Sequence, residues 1–499
     1  MKDRPALIIT ATTVAIHLGV AGRYDLFRDE LYFIVCGRHP AFGYVDQPPL
    51  VPLLAAAGAT FGLQAAVVRL PAVAAAAALV WLVVAFTRLL GGGEAAAWLV
   101  GIAAAAAPML MGLTATLNTT TFEPLAWTLI AYALARAVVL DDRRALVWAG
   151  VVAGVALEAR YAIPLWLLAL SVGIALTGPR RLLAWRELWL GVGLSAILGL
   201  PSLIWQALNG WPFIELMRNA SMKNVHPGAL VFTLHQVAVM NPASAPLWIT
   251  GLIAPFLLRE LRVMRFLPIA FALTALATVA AGGKDYYLAP AYPPFLVLGG
   301  IALAQALRPA AVRAAYIALI VALGAITAPL ALPLLDPPAL VAYTRTMHLA
   351  PRPQERSQLG TLLPPTFADM LGWHDFVAEV AAAYAGIPIA QRAKTSILVA
   401  NYGEAAALDL YGSSDGLPPA LSGQNQYGLW GLRGQSPLDV LLVTRGDVEW
   451  LRPHCVELLA LGRTWSRYVL PFENSNAIVW CRGLHPSLAE LWARIRFVE

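Results

Sequence analysis

The sequence predicts an α-helical polytopic membrane protein of about eleven transmembrane helices, followed by a C-terminal extracytoplasmic α/β domain. Two observations of composition indicate this fold class. Of the 499 residues, 59% are hydrophobic and only 13% are charged, whereas soluble domains carry about 25% charged residues. Long apolar segments recur up to residue 335, after which polar residues and Pro pairs replace them. A chain so poor in charge cannot cover a water-soluble surface, so lipid must cover much of it.

The first 335 residues contain the candidate transmembrane helices, each of which needs about 20 mostly apolar residues. The segments that approach this length lie at residues 6–22, 66–87, 95–113, 122–140, 145–158, 161–177, 187–205, 244–258, 266–281, 289–307 and 313–332. The fifth and sixth segments are the weakest, because both are short and Glu158 and Arg160 lie between them. No small-residue cleavage site follows the first segment, so we interpret it as a span rather than a signal peptide.

Lysine and arginine set the expected orientation, because they concentrate in short cytoplasmic loops. A cytoplasmic N-terminus places inside the short basic loops around Arg88, Arg143, Arg180, Arg259 and Arg308. An odd number of spans then places the C-terminus outside the cytoplasm. We therefore expect a multi-pass protein of the inner (plasma) membrane, and we interpret the net charge of +6 as topology, not as nucleic-acid binding.

Residues 336–499, here called the C-terminal domain, have the pattern of a soluble α/β fold. Residues 396–402 and 438–444 are short apolar runs typical of buried strands. Residues 373–385 and 403–411 have the pattern of amphipathic helices. Strands that alternate with helices predict a small α/β domain, and the preceding 1–335 form the transmembrane domain.

The first loop, residues 23–52, carries the most informative charges, and this topology places it outside. Asp29, Glu30 and Asp46 lie there among aromatic and apolar residues. Residues 31–35 are too apolar for a free loop and predict a helix that lies at the membrane interface. Neighbouring carboxylates suit a proton-transfer or cation-binding role. The alternative is that Asp29 and Glu30 cap this helix and pair with nearby arginines.

Cations and tyrosines are found in the other loops on the same side. Lys284 and Tyr287 lie in the segment GGKDYYLAPAYPP at 282–294, and Arg160 lies near the outer end of a span. Arg218 and Lys223 lie in the long loop 209–241. A cation at membrane depth is costly and often functional. The alternative is that these residues snorkel to the interface or belong to an aromatic belt.

Several sequence motifs together resemble one known family. Arg28-Asp29-Glu30-Leu31-Tyr32 is followed by GYVDQPPL at 43–50, and NTTTFE at 118–123, Arg160-Tyr161, KDYYLAPAYP at 284–293 and NYGEA at 401–405 come later. The chain resembles membrane glycosyltransferases of the C-type fold, and within them the family-39 group of protein O-mannosyltransferases and lipid A aminoarabinose transferases. Many relatives have an acid where Asn118-Thr119 stands, and others have Glu-Lys at Asp46-Gln47. The second difference indicates a substrate unlike that of the aminoarabinose enzymes.

The resemblance implies an inverting glycosyltransferase that takes a sugar from a polyprenyl-phosphate carrier and acts at the outer face of the membrane. Asp29 would be the general base, and Glu30 and Asp46 would orient the acceptor or a cation. Donor phosphate would be held by Arg160, Lys284, Tyr287, Arg218 and Lys223. The implied partners are the lipid-linked donor, membrane lipid and an envelope lipid, glycan or protein acceptor, with no nucleic acid. The three carboxylates also have the chemistry to bind a divalent metal ion through oxygen, a point that the sequence leaves open.

Two other classes of function remain open. A transporter would also have many spans and buried charges, but it would usually show inverted repeats and would not need a large outer domain. A non-catalytic protein that binds polyprenyl phosphate would keep the cations but could lose Asp29. The presence of Asp29 and Asp46 favours the enzyme.

Three cysteines are present, and we predict a disulfide between Cys455 and Cys481. Cys481 ends an apolar run that predicts a strand, and residues 456–461 predict a neighbouring strand. The ends of such strands can approach the roughly 4.4–6.8 Å Cα separation that a disulfide needs. The alternative is two unpaired, buried cysteines.

Overall fold

The computed structural model describes residues 3–225, 228–349 and 351–499. In its described residues up to 349 the helices are joined by turns and short loops. The α-helices are α1 Arg4–Val20, α2 Arg28–Arg38, α3 Leu50–Ala59, α4 Ala65–Val68, α5 Leu70–Leu89, α6 Glu94–Ala105, α7 Pro108–Leu113, α8 Glu123–Val139, α9 Arg144–Leu157, α10 Ile163–Thr177, α11 Arg186–Leu208, α12 Pro212–Lys223, α13 Ala229–Val239, α14 Ala245–Leu257, α15 Phe266–Ala280, α16 Pro293–Ala306, α17 Ala310–Thr327 and α18 Pro337–Thr346. Short 3-10 helices include Pro242–Ser244, Asp285–Ala291 and Arg356–Gln358.

Every segment predicted to span the membrane coincides with a helix or a helix pair, because long apolar segments satisfy their backbone groups as helices. Within the described ranges, three helices are long and apolar enough to cross a membrane, namely Leu70–Leu89, Arg186–Leu208 and Ala310–Ala331. The number rises to five if each of two bent helix pairs is one span. Several others are apolar helices of 10–17 residues, so the count of about eleven stays a prediction, as does the orientation.

Close helix packing in this region depends on small residues, as is common in membrane proteins. Helices α9 and α11 lie against each other at Gly150 and Gly191. A Cβ atom on Gly150 would lie only 2.0 Å from the backbone oxygen of Gly191. The two backbones therefore need glycine here to approach this closely.

The C-terminal domain is α/β, as predicted. It contains α19 Pro365–Ala368, α20 Trp373–Gly386, α21 Ile389–Arg392, α22 Tyr402–Tyr411, α23 Asn425–Trp430 and α24 Leu488–Ile495, with strands β1 Thr395–Val399, β2 Leu421–Ser422, β3 Asp439–Thr444, β4 Cys455–Arg463 and β5 Ala477–Leu484. In the described part of the chain the strands form one five-stranded sheet of order β2-β1-β3-β5-β4. Strand β1 is parallel to β2 and β3, and β5 is antiparallel to β3 and β4.

The first loop forms helix α2, whose apolar residues are covered by protein. Leu31, Tyr32, Phe33, Ile34 and Val35 are all buried. They share one hydrophobic cluster with α3 and with α22 of the C-terminal domain. The predicted helix is therefore present, and protein covers its apolar residues; its position at the membrane interface stays a prediction. This packing places the first loop directly against the C-terminal domain.

Cys455 and Cys481 form a disulfide between β4 and β5, with Cα atoms 5.4 Å apart, and Cys36 is buried and free. The bridge closes a sequence separation of 26 residues, which corresponds to about 3 kcal/mol of stabilisation in the chain-entropy model. Thiol labelling of the denatured, unreduced protein is expected to modify Cys36 alone, and prior reduction is expected to make all three cysteines reactive. Three reactive thiols without reductant would contradict the pairing.

Candidate active site

The two adjacent carboxylates at the start of α2 have different surroundings. Glu30 is fully buried and forms an ion pair with Arg69, with Oε2 2.9 Å from Nη2. Its oxygens also accept backbone N–H bonds from Phe27 and Leu117, each 2.8 Å long. Glu30 therefore fixes the start of α2. This placement argues against the predicted role of Glu30 in orienting an acceptor or binding a metal, because both of its oxygens are already engaged inside the protein.

Asp29 points to a more open region, and its side chain is 24% exposed. The hydroxyl of Tyr402 donates a 2.8 Å hydrogen bond to Oδ1. Among the residues that the structure describes, Oδ2 has only a long contact of 3.5 Å, from the side-chain amide of Asn118. Arg28 lies 3.9 Å from Oδ1. One carboxylate oxygen of Asp29 is thus held firmly, while the other can accept a further proton or hydrogen bond.

Asp46 is joined to the same group through a pair of tyrosine rings. Tyr32 donates a 2.9 Å hydrogen bond to Oδ1 of Asp46, and Asn425 donates one of 3.1 Å to Oδ2. Burial raises the pKa of Asp46 to about 6. The ring of Tyr32 lies 4.5 Å from that of Tyr402, which holds Asp29. The structure therefore brings the predicted pair Asp29 and Asp46 into one cluster.

Among the residues that the structure describes, no group of three or more His, Cys, Asp or Glu side chains could hold a metal ion. The predicted set of Asp29, Glu30 and Asp46 does not form such a group, because Glu30 is turned toward Arg69. A metal site made by these three carboxylates consequently gains no support from the geometry.

Arg28 lies between Asp29 and two acidic residues that the sequence analysis did not identify. Its guanidinium is 3.6 Å from Asp369 and 3.8 Å from Glu473. Burial raises the pKa of Asp369 to about 7, and the charges of Arg28 and Lys284 both oppose this rise. Asp369 thus interacts with the carboxylate cluster on one side and with the cations described next on the other.

Four of the predicted phosphate-binding residues form two pairs, Arg160 with Tyr287 and Lys284 with Lys223. Arg160 lies over the ring of Tyr287 at 4.7 Å and forms a 3.2 Å ion pair with Glu123. Lys284 is 2.7 Å from Glu355, and Lys223 approaches the same oxygen at 3.9 Å. Although burial favours the neutral form of Glu355, the two lysines outweigh burial and lower the pKa of this carboxyl to about 2.

The fifth residue of the predicted set, Arg218, is exposed on α12, the helix that ends at Lys223.

Tyr286, the residue before Tyr287, packs edge-on against the ring of Tyr287, with the ring centres 4.7 Å apart. The charges of Arg160 and Lys284 both act on Tyr286, so these two cations share one environment.

Several residues of the cluster were missed by sequence reasoning. Arg69 carried a recognisable signal, since it is a lone cation inside an expected span, and such residues are costly unless paired. Tyr402 lies in the NYGEA motif at 401–405, which gave it no role at the site, and Asn425, Asp369 and Glu355 carried no local signal. Only the packing of the C-terminal domain on the first loop brings them to Asp29 and Lys284.

Known proteins are similar to the chain in part of its sequence and in its fold. Residues 46–205 match the profile of the family described as dolichyl-phosphate-mannose-protein mannosyltransferase. The fold is similar to the crystal structure of ArnT from Cupriavidus metallidurans bound to undecaprenyl phosphate, with a TM-score of 0.62, 15% sequence identity, and coverage of 95% of this chain and 97% of ArnT.

The apo structure of the same ArnT gives a TM-score of 0.60, also at 15% identity and with the same coverage of both chains. No curated protein sequence matches the chain. The profile match and the two structural matches confirm the resemblance to the family-39 group that the motifs of the first loop indicated.

Proposed function

We propose that the chain is an inverting glycosyltransferase that moves a sugar from a polyprenyl-phosphate carrier to an envelope lipid, glycan or protein acceptor. The observation that carries the proposal is the geometry of Asp29. Tyr402 holds Oδ1 of this carboxylate, while Oδ2 has one weak contact and the side chain is 24% exposed. A carboxylate in this state can take a proton from an acceptor within hydrogen-bond reach.

A group of cations supports a phosphate-containing donor. Arg160 lies over the ring of Tyr287, Lys284 interacts electrostatically with Tyr286 and Tyr287, and Lys223 lies near Lys284 at the shared partner Glu355. The ArnT that shares the fold binds undecaprenyl phosphate, a ligand with the same requirement for positive charge. A transporter would not need a carboxylate and phosphate-binding cations in this combination.

In the proposed reaction the acceptor oxygen or nitrogen attacks the anomeric carbon of the donor, and Oδ2 of Asp29 takes the acceptor proton. The bond between the anomeric carbon and the phosphate oxygen breaks, and its electron pair leaves with polyprenyl phosphate. The phosphate charge thereby grows toward about −2. Lys284 and Arg160 stabilise this charge. Attack opposite the leaving group inverts the anomeric centre.

The proposed location is the outer face of the inner (plasma) membrane, with the N-terminus in the cytoplasm and the C-terminal domain outside. The Cys455–Cys481 disulfide supports this side for the C-terminal domain, because disulfides persist mainly outside the reducing cytoplasm.

Mass spectrometry of lipids and envelope glycans from cells with and without the chain tests the function. We expect cells without the chain to accumulate a sugar-loaded polyprenyl phosphate and to lose that sugar from one envelope component. If both lipid and glycan profiles stay the same, the chain does not transfer a lipid-linked sugar under those conditions and the proposal fails.

Lys284→Ala and Arg160→Ala are each expected to raise the apparent KM for the donor about tenfold or more, since hydrogen bonds to charged groups contribute about 1.5–3 kcal/mol. Donor titration in nanodiscs measures the effect. Arg452→Ala is the matched control, because Arg452 is an exposed residue of the C-terminal domain that pairs with Glu449. Unchanged donor dependence and rate in both site variants would refute the assignment.

A further inference from the structure

The C-terminal domain reaches the candidate active site through Tyr402. Its hydroxyl donates to Oδ1 of Asp29 at 2.8 Å, although the two residues are 373 positions apart in the chain. On its other side the Tyr402 ring lies against Tyr32 and beneath the guanidinium of Arg28, 5.5 Å from the ring centre. Tyr402 therefore touches three residues of the motif that begins α2.

The position of Tyr402 is fixed by its own helix. Asn401 caps α22 by accepting a 2.9 Å hydrogen bond from the backbone N–H of Glu404, and the N–H of Tyr402 donates to Gln424 at 3.1 Å. A Cβ atom on Gly403 would lie 2.3 Å from Cγ of Arg28. The absence of a side chain at Gly403 thus lets α22 come close enough for Tyr402 to reach Asp29.

We infer that Tyr402 is a positioning residue for the proposed reaction: it holds Oδ1 of Asp29 and leaves Oδ2 as the oxygen that takes the proton. The inference rests on the proposed function of Asp29. The C-terminal domain then completes the active site rather than serving as a separate module.

The test compares Tyr402→Phe with Tyr384→Phe in full-length protein reconstituted in nanodiscs. Tyr384 is the matched control, because its hydroxyl donates to the backbone of Arg392 elsewhere in the same domain. Tyr402→Phe is expected to lower kcat about tenfold through loss of a hydrogen bond to a charged group. The donor KM should stay near the wild-type value, because Tyr402 acts through Asp29 and does not hold the phosphate.

A lower kcat accompanied by a raised donor KM, or activity equal to the control, would overturn the role of Tyr402. Gly403→Ala supplies a second variant, since it moves α22 away from α2 without changing Tyr402, and the same fall in kcat at an unchanged donor KM is expected. Wild-type protein that transfers no sugar would overturn the proposed function, and the role of Tyr402 with it.

Glu355 lies close to lysines from two different segments of the chain. Its Oε1 is 2.7 Å from Lys284 and 3.9 Å from Lys223. The segment that carries Glu355 is bonded to the end of α12, where Val225 donates a 3.0 Å backbone hydrogen bond to Gln354 and Asn224 forms a β-bridge with Glu355. A single carboxylate therefore faces two lysines that the proposed function assigns to the donor phosphate.

We propose that Glu355 occupies the place of the donor phosphate and is displaced when the donor binds. An incoming phosphate, which also carries negative charge, would compete with the Glu355 carboxylate for the same two lysines. The proposal rests on the proposed function, because it takes the donor to be a polyprenyl phosphate.

Binding of undecaprenyl phosphate to the full chain in nanodiscs tests this displacement. Glu355→Gln keeps the size of the side chain and removes the competing charge, so we expect about tenfold tighter binding, the scale of a hydrogen bond between charged groups. Glu449→Gln, which removes an exposed carboxylate paired with Arg452, should bind as the wild type does. Equal or weaker binding by Glu355→Gln would show a structural role and overturn the proposal. If neither wild type nor Glu355→Gln binds, both this proposal and the proposed donor class fail.

Discussion

Asp29→Asn is expected to reduce sugar transfer by about 10²–10⁴-fold, the usual contribution of a general base, with normal expression and folding. Asparagine has nearly the same shape, and its side-chain oxygen can still accept the hydrogen bond from Tyr402. It cannot take a proton from the acceptor. The donor KM should change little, because Asp29 has no role in holding the phosphate.

Turnover by purified variant and wild type, measured in nanodiscs at saturating donor, checks this expectation. Asp447→Asn is the matched control, since Asp447 is exposed in the C-terminal domain. Turnover by Asp29→Asn near that of the control would remove Asp29 from the mechanism. A protein that still binds polyprenyl phosphate but never transfers sugar would instead be the non-catalytic carrier-binding protein.

Glu30→Gln and Arg69→Met are expected to destabilise the protein, whereas Asp29→Asn is expected to lower activity and leave folding normal. The two side chains form an ion pair in which both partners are at most 1% exposed. Removal of one partner leaves the other charge buried and unpaired, which typically costs about 3–5 kcal/mol. We expect a lower thermal midpoint and lower yield of folded protein in detergent for both variants.

Asp29→Asn serves as the internal control for this comparison, because it changes the adjacent residue without touching the buried pair. Thermal midpoints of Glu30→Gln and Arg69→Met equal to that of Asp29→Asn would contradict the structural role of Glu30. Stable but inactive Glu30→Gln protein would restore the original prediction that Glu30 acts on the acceptor.

The positions of the helices were predictable from the sequence because hydropathy is a local property. Apolar runs such as 187–205 became helices such as α11, and the alternation after residue 336 became the sheet and helices of the C-terminal domain. The disulfide was predictable because three cysteines and two strand patterns left few pairings. The surroundings of α2 were not predictable, since its apolar residues suit lipid headgroups as well as a protein partner.

The different surroundings of Asp29 and Glu30 also lay beyond the sequence. Neighbouring residues on a helix point about 100° apart, so one turns toward Arg69 and the other toward Tyr402. Which direction each takes depends on α5 and α22, whose positions no local pattern reports. Glu355 was missed for the same reason, because only the folded chain brings it close to Lys223 and Lys284.

The most direct test of the central claim is transfer by purified protein from the sugar-loaded polyprenyl phosphate that accumulates in cells lacking the chain. The product is followed by mass spectrometry, and the configuration of its anomeric carbon is read by NMR. We predict that wild-type protein forms a product of inverted configuration and releases one polyprenyl phosphate for each sugar transferred, while Asp29→Asn forms almost none. Retained configuration, or equal product from wild type and Asp29→Asn, would contradict the account.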